Sequence, residues 1–382
     1  MEFARTRRRV EYELYEDEFT RGIQMVVEVS GQRVLALAEG DDGTGRPLAT
    51  TTVLRVYCTL KPILAVAIAR LVDMGAIDLD APLERRWSDV RAVAGGVTPR
   101  HLLTHTAGVH TCSGLEIEML TPVRRRRRID GIVRPAGWRL GADAGYSEAA
   151  AWHLLGWLVE EVTGDDLRAH LREHVLDPLG MTSTWIGMTP DEYRAALPGI
   201  GINVDVRARG GFPLLYERSE RVCCTTNAAF GGYSTADDLA RFYTTLLEHN
   251  RAAISSLASP QVLLTFCSTV RPPVYDQVLD RVCPYGLGFM TSLNDHAFGT
   301  DCSPASFGHS GYAGASFAFA DPAHELAVGV IFNGVVGHES AFLRRRALTR
   351  ALYADLEEEL PRARQNPGRQ TRRVWKPRKR AD

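Results

Sequence analysis

No stretch of this chain reaches the roughly 18 consecutive apolar residues of a membrane-spanning helix, so no membrane segment is expected. Cysteine is sparse and unpatterned: seven residues, at 58, 112, 223, 224, 267, 283 and 302, with no C-x-x-C pair. An odd count at irregular spacing supports neither a metal site nor a disulfide framework. A reduced, cytoplasmic setting is therefore expected. Net charge is nearly absent, formally -1 at pH 7, so nothing draws the whole chain to nucleic acid or to a membrane surface. The basic start, Met1 to Arg9, runs on into charged residues and lacks the apolar core of a secretory signal. No internal repeat is present.

What is there suits a soluble enzyme. Hydrophobic residues make up 45% and charged residues 24% of 382, ordinary values for a globular chain long enough for a large core. Apolar runs at Ile23–Val29 and Val34–Ala38, split by Ser30-Gly31-Gln32, predict a hairpin. A strand over Thr50–Tyr57 should lead into a helix beginning near Ile63 and stopping at Gly75. Thr98-Pro99 caps a short helix, and the Gly145-Tyr146-Ser147-Glu148 turn opens another that ends before Gly164. A further helix is expected over Leu167–Val175. Ser234 or Thr235 caps the next, with Asp237 and Asp238 in its first turn. Ala315–Ala320 and Leu326–Phe332 read as paired strands, followed by a helix over about Ala341–Leu356. Five consecutive arginines, Arg124 to Arg128, should lie on a solvated face.

Early strands, a helical middle, late strands and a closing helix predict an α+β fold. An antiparallel sheet would be flanked by helices, with a mostly helical subdomain inserted. The expected division is an N-terminal extension (1–20), a domain over 21–358 and a basic, disordered tail (359–382). Within the domain, the α/β part takes about 21–75 and 230–358, and the helical part about 76–229. A cleft between the two parts is a natural place for a small-molecule site.

One stretch carries chemistry: Cys58-Thr59-Leu60-Lys61. A nucleophile three residues before a lysine, in the first turn of a helix, shares a face with it. The positive helix end and the lysine both favour an anion there, the condition for a reactive thiolate. Taken alone, C-x-x-K fits a buried structural cysteine better. Downstream segments reverse that balance.

Together with Arg100–Gly108, Gly231–Leu239, Tyr285-Gly286-Leu287-Gly288-Phe289 and Gly308-His309-Ser310-Gly311, the stretch resembles the serine β-lactamase and penicillin-binding protein superfamily. The likeness covers roughly residues 20 to 355 and is nearest the class C branch of esterases, D-aminopeptidases and acyltransferases. The family's S-x-x-K motif falls on Cys58-Thr59-Leu60-Lys61, with cysteine in place of serine. Its Y-x-N falls on Tyr146-Ser147-Glu148, with glutamate in place of asparagine. Its third motif, in the histidine form, falls intact on His309-Ser310-Gly311. The resemblance implies Cys58 as nucleophile, Lys61 and Tyr146 as proton carriers, and the amides of Cys58 and Tyr312 as the oxyanion hole. Glu148, His309, Ser310 and Gly311 would line the substrate cleft, and no cofactor or metal is implied.

A thioester acyl-enzyme favours amine acceptors over water more than an oxygen ester does, so cysteine points to acyl transfer. Forming an ester or amide in natural-product biosynthesis is the leading expectation. An esterase or amide hydrolase, and a non-catalytic binding relic, are the alternatives. Retention of Lys61, Tyr146 and His309 speaks against the relic. Glu148 would repel a β-lactam carboxylate and could instead favour an amine acceptor, unless it simply faces solvent at a helix start. The expected partners are a small-molecule acyl donor and acceptor, the donor free or carried on coenzyme A or a carrier protein, to which the arginine run could dock. His101 and His105, four apart, read as core histidines rather than a metal pair, because the accompanying glutamate is missing. Cys223 and Cys224 read as buried thiols, and Trp138, Trp152 and Trp157 as packing residues.

Overall fold

In the computed structural model, which describes residues 1–16, 19–207, 210–247 and 257–365, an eight-stranded antiparallel sheet is built from both ends of the chain. Its strands are β1 (Gly22–Val29), β2 (Gln32–Gly40), β3 (Arg271–Asp276), β4 (Arg281–Tyr285), β5 (Met290–Thr291), β6 (Phe307–Ser310), β7 (Ser316–Asp321) and β8 (Leu326–Phe332). They lie in the order β2-β1-β8-β7-β6-β5-β4-β3. The first hairpin turns at Ser30 and Gly31, both with positive φ, the conformation that lets two strands return with matching twist. β1 then pairs with β8 from Ile23↔Phe332 to Val29↔Leu326, which joins the beginning of the domain to its end.

β3 and β4 are absent from the sequence expectation, and β3 carries two prolines, Pro272 and Pro273. The structure puts β3 at the sheet edge, where a missing N–H costs no ladder bond. The strand expected over 50–57 shortens to Leu54–Arg55, paired with Tyr233–Ser234. Beyond it Val56 N bonds the Gly232 carbonyl at 2.9 Å and the chain turns away.

Helix α1 (Ala4–Tyr15) packs along the last helix, α5 (His338–Gln365). Asp355 clamps them, accepting from Thr6 N and Thr6 Oγ1, each at 2.8 Å. α5 runs past the Leu356 end expected for it. The rest of the basic tail, from 366 on, lies outside the described residues. α4 (Ala236–Leu247) lies on the central strands, capped by Thr235, whose Oγ1 accepts from Asp238 N at 3.2 Å. Between α2 (Lys61–Asp73) and α4, the chain forms α3 (Ala150–Thr163) and several short helices. One excursion of this segment, Val204–Asp205, returns to pair with Gly334–Val335 beside the sheet.

The arginine run forms a helix, Pro122–Asp130, and is not wholly solvated. Arg125 is buried, with Nε 3.1 Å from the Ile117 carbonyl and Nη2 3.4 Å from that of Leu120. Five consecutive helical residues sweep more than a full turn, so one of them has to face inward.

Candidate active site

α2 positions the site. Residues Lys61 to Ala69 are buried all round, the mark of a helix passing through a core. It is entered through a tight 3₁₀ turn, Tyr57–Leu60, whose first residue has a left-handed backbone (φ 50°). For a non-glycine residue that conformation costs about 1–2 kcal/mol and needs support from its surroundings. Tyr57 receives it from a buried cluster: its hydroxyl donates to Glu217 Oε1 at 2.5 Å. Asn203 Nδ2 reaches Glu217 Oε2 and the Arg55 carbonyl, both at 3.0 Å. The Arg55 guanidinium, also buried, pairs with Glu217 and Glu118.

Cys58 follows this turn and is 5% exposed. Lys61 Nζ lies 3.2 Å from its sulfur. The same amine donates to the carbonyl oxygens of Glu148, at 2.7 Å, and Ala229. Two carbonyls therefore take two N–H groups and leave the third tetrahedral direction of the nitrogen at Cys58 Sγ. As an ammonium it donates to a thiolate there; as a neutral amine it offers a lone pair to the thiol proton. Burial lowers the Lys61 pKa below the ordinary lysine value, against the opposing pull of Cys58 and Glu148.

Tyr146 is buried and lies close enough to Cys58 for the two groups to interact electrostatically. Burial first, then the charge of Cys58, holds this phenol well above its ordinary pKa. Tyr146 is thereby a proton donor at neutral pH, and Lys61 is the better-placed acceptor. Lys61 Nζ sits 5.5 Å from the Tyr146 ring centre and 5.4 Å from that of Trp152.

His309 lies deeper than a cleft-lining residue. It is 0% exposed, with Nδ1 3.0 Å from the Ser310 carbonyl and Nε2 3.0 Å from the Tyr285 hydroxyl. A carbonyl only accepts, so Nδ1 carries the proton and Nε2 accepts from Tyr285. Burial, then the nearby Lys61, keeps the imidazole neutral, its pKa well below the ordinary histidine value. The next residues approach the Cys58 turn: Ser310 and Gly311 are half-buried, and Tyr312 is 38% exposed. A Cβ on Gly311 would fall 2.7 Å from the Val56 carbonyl and 2.4 Å from Ser316 Oγ, so the two turns are in contact. The rings of Tyr57 and Tyr312 lie 5.8 Å apart. Cys58 and Tyr312 each stand in the first turn of a 3₁₀ helix, where amides have no intrahelical acceptor.

Glu148 is tied down by one carboxylate oxygen. It is half-buried and its Oε2 accepts from Gly114 N at 2.7 Å, fixing the 113–118 segment that carries Glu118. His105 is buried, with Nδ1 accepting from Ser147 N at 2.9 Å. Its ring packs 4.6 Å from Tyr146 and 4.9 Å from Tyr285. His101 Nδ1 instead completes the cap at Thr98. Cys223 is buried, Cys224 half-buried, and all seven cysteines are free thiols.

A family profile described as Beta-lactamase matches residues 8–353. The chain belongs to the beta-lactamase family. Among curated relatives, it is 29% identical to Esterase EstB of Burkholderia gladioli over 254 residues, covering 58% of this chain and 64% of that protein. It is 24% identical to Esterase/beta-lactamase LipL of Mycobacterium tuberculosis over 339 residues, covering 82% and 77%. It is 30% identical to Monacolin J acid methylbutanoyltransferase of Aspergillus terreus over 164 residues, covering 36% and 38%. The matched part thus spans less than two thirds of EstB and well under half of the transferase. Among solved structures, a penicillin-binding protein homologue from Caulobacter crescentus superposes with a TM-score of 0.75 at 23% identity, covering 93% of this chain and 97% of that one. EstCE1, described as a hydrolase with promiscuous acyltransferase activity, does so with 0.73 at 18% identity, covering 92% and 99%. At these identities the superpositions speak for the shared beta-lactamase fold.

Two groups of residues around this beta-lactamase-like site went unread in the sequence. Tyr285 was visible as part of the Tyr285-Gly286-Leu287-Gly288-Phe289 segment, without its bond to His309. Arg55, Glu118, Asn203 and Glu217 come from four separate segments, and no local pattern links them.

Proposed function

We propose that this beta-lactamase family member is an acyltransferase that works through a thioester on Cys58. The observation that carries the reading is the 3.2 Å approach of Lys61 Nζ to Cys58 Sγ, with the other N–H directions held by two carbonyls. Lys61 takes the thiol proton as sulfur adds to the donor carbonyl. The amides of Cys58 and Tyr312 receive the developing oxyanion. As the tetrahedral adduct collapses, the carbon–leaving-group bond breaks and the leaving group takes the proton of the Lys61 ammonium, directly or relayed through the Tyr146 phenol. An amine or alcohol acceptor then attacks the thioester, gives its proton to Lys61, and departs as amide or ester while sulfur is reprotonated. Ser310 and Gly311 border the acyl group, His309 braces them from beneath, and the charge of Glu148 favours a cationic acceptor.

The relatives support this activity class: two carry esterase names, and the third is named for transfer of a methylbutanoyl group. The transferase supports a place in small-molecule biosynthesis, with the acyl donor free or held on coenzyme A or a carrier protein. Hydrolysis is the second reading, favoured by the esterases' greater coverage. The test supplies an activated acyl thioester with and without a panel of amines. A condensed product formed by the wild type and missing in Cys58→Ala supports transfer; free acid alone, at a rate indifferent to amines, supports hydrolysis. Turnover undiminished in Cys58→Ala overturns the thioester in both.

A further inference from the structure

Away from Cys58, the turn after α3 gathers three side chains with metal-ligating atoms. Asp165, His170 and His174 each place one such atom within 4.8 Å of the other two. His170 Nδ1 lies 3.3 Å from Asp165 Oδ2, and the two imidazoles meet edge to face with ring centres 4.6 Å apart. His170 is only 4% exposed, yet its Nε2 has no hydrogen-bond partner among the described residues. A buried polar atom left unpaired costs about 1–3 kcal/mol and calls for a reason. Asp165 is exposed and His174 half-buried, so the group opens to solvent on one side.

We propose that Asp165, His170 and His174 form a binding site for one divalent transition-metal ion of the zinc class. Two imidazoles and a carboxylate, with no thiolate, suit zinc, nickel or copper rather than calcium or magnesium. Zinc–ligand distances of about 2.0–2.1 Å place tetrahedral ligands roughly 3.3 Å apart. The two solvent-facing side chains therefore close on the fixed His170 by rotation, and water completes the shell. His174 stands in a five-residue π turn, Arg172–Leu176, a local widening of the helix that recurs at functional positions. Arg70, whose charge is felt at His170, moderates the affinity. The ion would clip the turn after α3 to the following helix, Leu167–Leu171, and take no part in acyl chemistry. An ion here departs from the metal-free expectation drawn from sequence.

The test uses full-length, untagged, chelator-stripped protein with its thiols reduced. Zinc is titrated by calorimetry, and cobalt(II) is followed by absorption. His174→Ala and Asp165→Asn are the variants, since neither side chain is fully buried. The expected result is one equivalent bound, a melting temperature raised by zinc, and cobalt bands without thiolate-to-metal charge transfer. Each variant should weaken binding at least ~10-fold, a loss that removal of an outer-shell partner alone can cause, with the Cys58 alkylation rate unchanged. No saturable binding, wild-type affinity in both variants, or a thiolate signature placing the metal on cysteine overturns the site.

Discussion

The Tyr57 hydroxyl is held 2.5 Å from Glu217 Oε1, so the residue directly before Cys58 is anchored by its side chain while its backbone sits in the left-handed region. Tyr57→Phe keeps the ring and removes that bond. Loss of a hydrogen bond to a charged group predicts a destabilisation of about 1.5–3 kcal/mol in denaturant unfolding, together with slower alkylation of Cys58. Unaltered stability and alkylation would show that the cluster does not hold the Cys58 turn.

Lys61→Met removes the amine that faces the sulfur. Acyl transfer should fall by roughly 10²–10⁴-fold, the usual contribution of a positioned general base, and Cys58 labelling by iodoacetamide should slow toward that of the other cysteines. The substitution also has a signature in stability. Burial sets the Lys61 pKa below 10.5 in the folded protein, so between the two values the unfolded chain binds more protons. Stability attributable to Lys61 therefore rises with pH across that window. Subtracting the variant's unfolding curve from the wild type's should isolate a positive slope that ends near 10.5; a flat difference would mean that the lysine is not desolvated.

The hairpin, α2, the Thr98 cap and the final strand pair were legible because each follows from local rules of period, cap and turn. So was the Cys58–Lys61 pair, which needs only one helical turn. Tyr285 and His309 lie 24 residues apart and meet only because the strands bearing them are laid in one sheet. Arg55 and Glu217 are 162 apart; each reads as a surface charge until folding buries both. Arg125 was misjudged for the opposite reason, since a run of like charges hides which member turns inward. Glu148 was weighed between cleft and solvent, and its bond to Gly114 depends on a loop of unforeseen path.

Glu39 on β2 is buried, and neither carboxylate oxygen has a hydrogen-bond partner among the described residues. Burial pushes its pKa up from 4.5 to about 7, Arg7 pulling down and Glu11 pushing up. Between these values the folded protein keeps a proton that the unfolded chain releases, so stability falls as pH rises from 4.5 to 7. Glu39→Gln should flatten that part of the profile and leave acyl transfer unchanged. A wild-type slope retained in the variant would place the titration elsewhere.

Gly311 tests the contact between the two halves of the site. Its missing Cβ leaves room for the Val56 carbonyl, which leads into the Cys58 turn, and for Ser316 Oγ, which donates to that carbonyl at 2.6 Å. In Gly311→Ala the methyl would stand 2.7 Å from the carbonyl oxygen, inside van der Waals contact, with the Ser316 and Thr59 hydroxyls also crowding it. Overpacking of this kind costs roughly 1–3 kcal/mol. The larger effect should fall on kcat, because separating the turns moves the Tyr312 amide away from the Cys58 amide and weakens the oxyanion site. Loss of one such donor typically costs about 10²–10³ in kcat. A variant that is destabilised but turns over normally would show that the two amides do not act together.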